Sequence, residues 1–297
     1  MIRSFALVRV KFQRHCSVMR MQLIHCACAS GVTVPGASAH LLADVPTRRD
    51  LTFLDSLAEE LLPGGTVPSL AEITSSPSVP HMGEPALAGQ SPLERLRVVV
   101  SGTDAALGAV LTRMMRADYM WAEVAYVPVD VGSPAAVLWG LSELSTSDAV
   151  ALAVSGGVAP LPCIRNDSGV VVAGSAVIGS ADGGPYIGEV VVDQDVLLFN
   201  ESASPGVPGP YGVRLVPTVG APGLAAAQLV TPASGVRRRF RRDVPPSVTD
   251  PSTVLSGRAL QAGGPAIAVT VDGAQAPRAA NRVTFYRHLR DIQAVRA

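Results

Sequence analysis

The stretch Leu96 to Met115, LRVVVSGTDAALGAVLTRMM, constrains the fold more than any other part of the chain. Val98 to Val100 reads as a buried strand, and Ser101-Gly102-Thr103 as a small-residue turn. Leu107, Val110, Leu111 and Met114 then repeat at i, i+3, i+4, i+7, which predicts a helix from Asp104 to Arg116. A strand that turns directly into a helix presents first-turn amides with no intrahelical acceptor, an arrangement suited to phosphate.

The neighbouring segments extend this pattern. Val124 to Val129 predicts a second strand, Asp130-Val131-Gly132 a turn, and Ser133-Pro134 an N-cap with proline at the first helical position. Two consecutive strand–helix units imply a parallel sheet covered by helices. Upstream, Thr47 to Leu62 carries Leu51, Leu54, Leu57, Leu61 and Leu62 on one helical face and is stopped by Pro63-Gly64-Gly65. From Thr66 to Pro92 the Pro, Ser and Gly content predicts a long surface loop, with a helical turn near Leu70 to Ile73. Beyond about Ala159 short β-branched runs take over: Gly169 to Ala173, Glu189 to Leu198, Val213 to Val219 and Ala266 to Val271. Asp272-Gly273 is a hairpin turn signal, and these runs together predict antiparallel β structure.

A chain of 297 residues with 48% hydrophobic content can bury a substantial core. At about 100–200 residues per domain it is expected to form two domains. The expected division is a tail over 1–45, poorly ordered or preceding the true start at Met19 or Met21, then an α/β domain over 46–158 and a β-rich domain over 159–297. The 24 basic and 24 acidic residues cancel, which removes a global field for nucleic acid or anionic membranes. No apolar run approaches the roughly 20 residues of a membrane span, so a cytoplasmic protein is expected. Residues 1–43 lack acidic groups and carry Arg3, Arg9, Lys11, Arg14 and Arg20, a transit-peptide-like composition without a secretory core. Cys16, Cys26, Cys28 and Cys163 lack C-x-x-C spacing. Free thiols are the plain expectation, and a metal bound by Cys26, Cys28, His15 and His25 is the alternative.

The order of elements and three short segments resemble the diacylglycerol and sphingosine kinase-like catalytic fold, which is related to NAD kinase. Ser101-Gly102-Thr103-Asp104-Ala105 stands where that family has Gly-Gly-Asp-Gly-Thr. Val127-Pro128-Val129-Asp130-Val131-Gly132-Ser133 stands where a Gly-Thr-Gly-Asn-Asp type loop follows a strand, and Val271-Asp272-Gly273-Ala274 matches an Asp-Gly-Glu hairpin. The resemblance runs from Leu96 to the C-terminus and implies an α/β domain with a parallel sheet followed by a β-rich, sandwich-like domain. It also implies ATP and Mg2+ as cofactors and transfer of the γ-phosphoryl to a lipid or dinucleotide hydroxyl. On that reading Ser101, Gly102, Thr103, Asp104, Gly132 and Ser133 hold the nucleotide, Asp104 also holds the metal, and Asp272 is the catalytic base. The first segment has one glycine where the family has two, the second lacks Asn-Asp, and the third has Ala274 in place of Glu.

Each position also has a structural reading. Thr103 and Asp104 sit where an N-cap belongs, worth about 1 kcal/mol. Asp272 is a natural turn former. Arg237, Arg238, Arg239, Arg241 and Arg242 around Phe240 form either a solvated loop or a contact for nucleotide phosphate, an anionic lipid or nucleic acid. Trp121 and Trp139 read as core, Ser155-Gly156-Gly157 as a helix exit, and His288 has no serine elbow or paired acid. Two functions therefore stand side by side: a lipid-kinase-like phosphotransferase, and a catalytically inactive descendant that senses a nucleotide or other ligand or binds a partner.

Overall fold

The computed structural model describes residues 20–62, 83–202, 209–231 and 248–297. The expected stop at Pro63-Gly64-Gly65, the helical turn near Leu70, most of the 66–92 loop, and the arginine run around Phe240 lie outside the described residues.

The first half is a five-stranded parallel sheet in the order β15-β4-β3-β1-β2. Its strands are β1 (Met21–Cys28), β2 (Ser38–Leu42), β3 (Arg95–Gly102), β4 (Glu123–Pro128) and β15 (Gln293–Val295). Residues of β3 alternate between two cores, which is why its sequence reads as an unbroken apolar run. Val98 and Val100 meet α1 (Thr52–Leu61) and α2 (Asp104–Arg116) through Leu54, Leu107 and Leu111, whereas Val99 faces α4 (Thr146–Ser155) at Ala149 and Ala153. A short α3 (Pro134–Leu138) follows β4, with Pro134 in its first turn as expected. Trp121 and Trp139 are both buried in the core.

Two expectations about boundaries are corrected. Residues from Met21 to Leu42 are not tail, because β1 lies between β2 and β3 and pairs with both, Ile24 lying opposite Ser38 and Val98. Nor does the β-rich half run to the C-terminus: the chain returns, and β15 adds to β4 with Ala294 opposite Val124. Ile292 and Val295 also bridge back to Leu161 and Val158, so the α/β half is built from both ends of the chain.

Between these ends lies one branched, ten-stranded antiparallel sheet. Its axis is β12 (Ala259–Val271), which pairs with β7 (Gly188–Val192) near its start and with β6 (Ala176–Ser180) near its end, shifting register between Gly263 and Ile267. The run read as one strand from Glu189 to Leu198 divides into β7 and β8 (Asp195–Asn200) at a turn where Asp193 takes a φ of 52°. The inward residues of both branches, among them Ile178, Val190, Leu215, Leu260 and Phe285, share one core. Gln228 on β10 (Leu224–Gln228) donates to the Leu197 carbonyl of β8 and ties the branches together.

Candidate functional site at the junction of the two halves

The corner after β3 is shaped by close packing. A Cβ at Gly102 would lie 2.9 Å from the Cβ of Cys28, so the end of β1 leaves no room for a side chain there. Thr103 caps α2, its hydroxyl accepting from the Ala106 amide at 3.3 Å. Asp104 points inward and is buried. Its carboxylate accepts from the Tyr126 hydroxyl at 3.0 Å, the Ser133 hydroxyl at 2.6 Å and the Ala135 amide at 3.0 Å. Burial and the neighbouring Asp104 together raise the Tyr126 phenol well above its ordinary range.

The second corner is equally committed. Ser133 caps α3, accepting from the Ala136 amide while its own proton goes to Asp104. The Gly132 amide donates to Asp130 Oδ1 at 2.9 Å. Ser101 is buried, its hydroxyl 2.7 Å from His25 Nε2 and in hydrogen-bond contact with Ser30. Asp104 thus joins the corner after β3 to the corner after β4. Thr103 provides the α2 cap, and the amides of its first turn remain without intrahelical acceptors.

Asp272 is the turn former the sequence suggests, with φ of 49° there and 83° at Gly273 between β12 and β13 (Ala274–Gln275). Its side chain folds back inside. The carboxylate accepts from the amides of Ala173, Gly174 and Ser175 at 2.8, 2.8 and 2.9 Å. Burial lifts it to about 7 despite the opposing effect of those three amides, with a further push from the charge of Asp104.

Segment 173–175 is wedged between the two carboxylates. A Cβ on Gly174 would lie 2.6 Å from the Ala135 nitrogen and 2.7 Å from Asp104 Oδ2, and one on Gly108 of α2 would lie 2.8 Å from Asp272 Oδ2. Neither place has room for a side chain. Asp104, Ser133 and Asp272 are therefore brought together, with the two acids on opposite sides of one loop.

Beside this wedge α2 and the β-rich half enclose a cleft of about 340 Å³. Ala105, Ala109, Val269, Val271 and Ala274 give it an apolar lining, Asp272 contributes a carboxyl, and Arg48 stands exposed at the rim. Arg113 is paired with Asp55, and Arg116 donates to the carbonyls of Ser168 and Gly169.

Sequence reasoning passed over Tyr126, Gly108, Gly174 and Arg48. A glycine inside the helical pattern Ala-Leu-Gly-Ala was the available signal for Gly108, because glycine costs a helix about 0.5–1 kcal/mol unless close packing requires it.

Cys26 and Cys28 are free and buried, and desolvation raises both thiols. Among the described residues no group of three or more His, Cys, Asp or Glu is arranged to hold a metal. With three donors already on Asp104 and the Gly132 amide taken by Asp130, neither group as placed is free to take a metal or a phosphate. Nor is any helix among the described residues long and apolar enough to cross a membrane.

A parallel α/β sheet followed by a large antiparallel sheet, with the chain returning to the first, is the two-domain diacylglycerol kinase fold. A diacylglycerol kinase from Bacillus anthracis aligns over 94% of this chain and 97% of its own at 8% identity, with a TM-score of 0.52. A second structure from that organism, described as a putative diacylglycerol kinase, covers 93% and 97% at 8% identity with a TM-score of 0.56. An NAD kinase from Archaeoglobus fulgidus, in complex with ATP, aligns over 66% of this chain and 75% of its own at 15% identity, with a TM-score of 0.39. No protein-family model matches the sequence, and no curated protein is significantly similar to it.

Proposed function

We propose that this chain is a catalytically silent protein of the diacylglycerol kinase fold that binds a small amphiphile in its interdomain cleft. The observation that carries the reading is the contrast between the two acids. Each carboxylate accepts from three donors, but Asp104, which a kinase would need for nucleotide or metal, faces Tyr126, Ser133 and Ala135, whereas Asp272, held by the amides of 173–175, also belongs to the lining of the apolar cleft. Such a cleft suits a ligand with an apolar body, a hydroxyl that meets the Asp272 carboxyl, and an anionic group that reaches Arg48.

One observation favours the other reading, magnesium-dependent transfer of the ATP γ-phosphoryl to a lipid or dinucleotide hydroxyl. A carboxyl that titrates near 7 beside a cleft is well tuned for a general base. The positioning groups argue against it, because phosphoryl transfer depends almost wholly on holding nucleotide and metal.

Thermal shift and turnover assays separate the two. A medium-chain monoacylglycerol or its phosphate ester at 100 times its dissociation constant should stabilise the fold by about 2.7 kcal/mol. Magnesium–ATP should give neither a shift nor phosphate transfer. Transfer that disappears in Asp272→Asn would overturn the proposal.

A further inference from the structure

At the carboxyl end of β1 the chain makes a turn unrelated to the cleft. Ala29 takes a φ of 47°, in the left-handed region that non-glycine residues rarely occupy, and its amide reaches the Leu42 carbonyl at 3.2 Å. The strained residue turns Ser30 back over the sheet, where its hydroxyl meets that of Ser101 on β3. Ser101 in turn lies 2.7 Å from Nε2 of His25 on β1. The three side chains form a continuous path from a buried imidazole, through a buried hydroxyl, to a half-buried one. Ser30 is itself partly exposed, and the neighbouring Gly31 is exposed.

We infer that Ser30 is a nucleophilic serine, activated through Ser101 by His25, that accepts an acyl group from a small ester. Ser30 Oγ forms a bond to the ester carbonyl carbon as its proton passes to Ser101 Oγ and the Ser101 proton passes to His25 Nε2. The carbon–oxygen bond of the ester then breaks, the leaving alkoxide taking a proton from Ser101 Oγ, which recovers its own from His25 Nε2, while Ser30 keeps the acyl group. Water repeats the sequence on the acyl-serine and releases the acid, so no co-reactant beyond ester and water is needed. Desolvation lowers the His25 pKa and keeps the imidazole in the neutral form that can receive a proton. Ser30 is the catalytic residue here, and Ser101 and His25 are positioning and relay residues.

The site is separate from the ligand cleft proposed above, and filling that cleft should leave it unchanged. The test uses the full chain with a fluorophosphonate probe and p-nitrophenyl acetate. Peptide mass spectrometry should find the phosphonate adduct on Ser30, and Ser30→Ala should abolish it. In Ser101→Ala and in His25→Gln, each checked for an intact melting transition, kcat for the ester should fall by about 100-fold with KM held within about two-fold, the scale of a lost general base. The wild-type protein should also show a solvent deuterium isotope effect on kcat, a readout that needs no variant. Absence of an adduct at Ser30 in the folded protein would overturn the inference. So would a labelling rate unaffected by Ser101→Ala, or a wild-type reaction without an isotope effect.

Discussion

Asp104 and Asp272 are the two residues whose chemistry the fold has decided. Removing the Asp104 carboxylate leaves the Tyr126 hydroxyl with the Gly102 carbonyl at 3.0 Å but takes the acceptor of the Ser133 hydroxyl and of the Ala135 amide in a buried place. At about 1–3 kcal/mol for each stranded polar group, Asp104→Ala should lower unfolding free energy by roughly 3 kcal/mol, read as a fall in the urea midpoint with an unchanged slope. Asp272 acts through pH. Its folded pKa of about 7 lies above the ordinary carboxyl value, so the folded state holds the proton more tightly than the unfolded chain. The resulting contribution is fully present below about pH 4 and is lost as pH rises through 7, each pKa unit being about 1.4 kcal/mol. Wild-type stability should therefore fall relative to Asp272→Asn between pH 4 and 8. The difference between the two proteins isolates this effect from His25, whose lowered pKa works in the opposite direction by penalising acid. A wild-type minus variant difference that stays flat across that window would remove the assignment.

Among the elements, β1 and β15 hold the account of how the α/β half is assembled. β1 is paired on both edges and supplies Ile24, Cys26 and Cys28 to the core. A chain beginning at Ser30 should give no cooperative melting transition by circular dichroism. Deleting Gln293–Ala297 strips β4 of its edge partner and removes buried Ala294 and Val295. That truncation should lower the melting temperature sharply although it touches none of the strand–helix units.

Neither strand was legible in the sequence, for different physical reasons. MQLIHCAC lies in an acid-free, basic stretch that resembles a leader, and its polar His25 is buried on one face while cysteines occupy the other. β15 is three residues long, and its partner is about 170 positions away, so no local period marks it. The β3–α2 and β4–α3 corners were legible because cap, proline and helical spacing are all local signals. The role of Asp104 was not, because the helix it serves starts 30 residues later and the contact exists only once the sheet has formed.

At the scale of the whole molecule, the two halves meet through a loop held between carboxylates on one side and an apolar cleft on the other. Gly174 and Gly108 make that approach possible, and Asp104, Ser133 and Asp272 converge on it. The fold is that of the diacylglycerol kinases, while Asp104 and the Gly132 amide at its strand–helix corners are engaged within the protein. The most direct measurement is calorimetric titration of magnesium–ATP and of a medium-chain monoacylglycerol phosphate into the wild-type protein, Ala109→Trp and Arg48→Ala. Ala109 lines the cleft on α2, so an indole there should fill it. The account predicts heat from the amphiphile that is lost in Ala109→Trp and weakened about ten-fold or more in Arg48→Ala, as expected for a charge-assisted contact, with no heat from magnesium–ATP in any of the three. Saturable magnesium–ATP binding by the wild-type protein, with no uptake of the amphiphile, would contradict it.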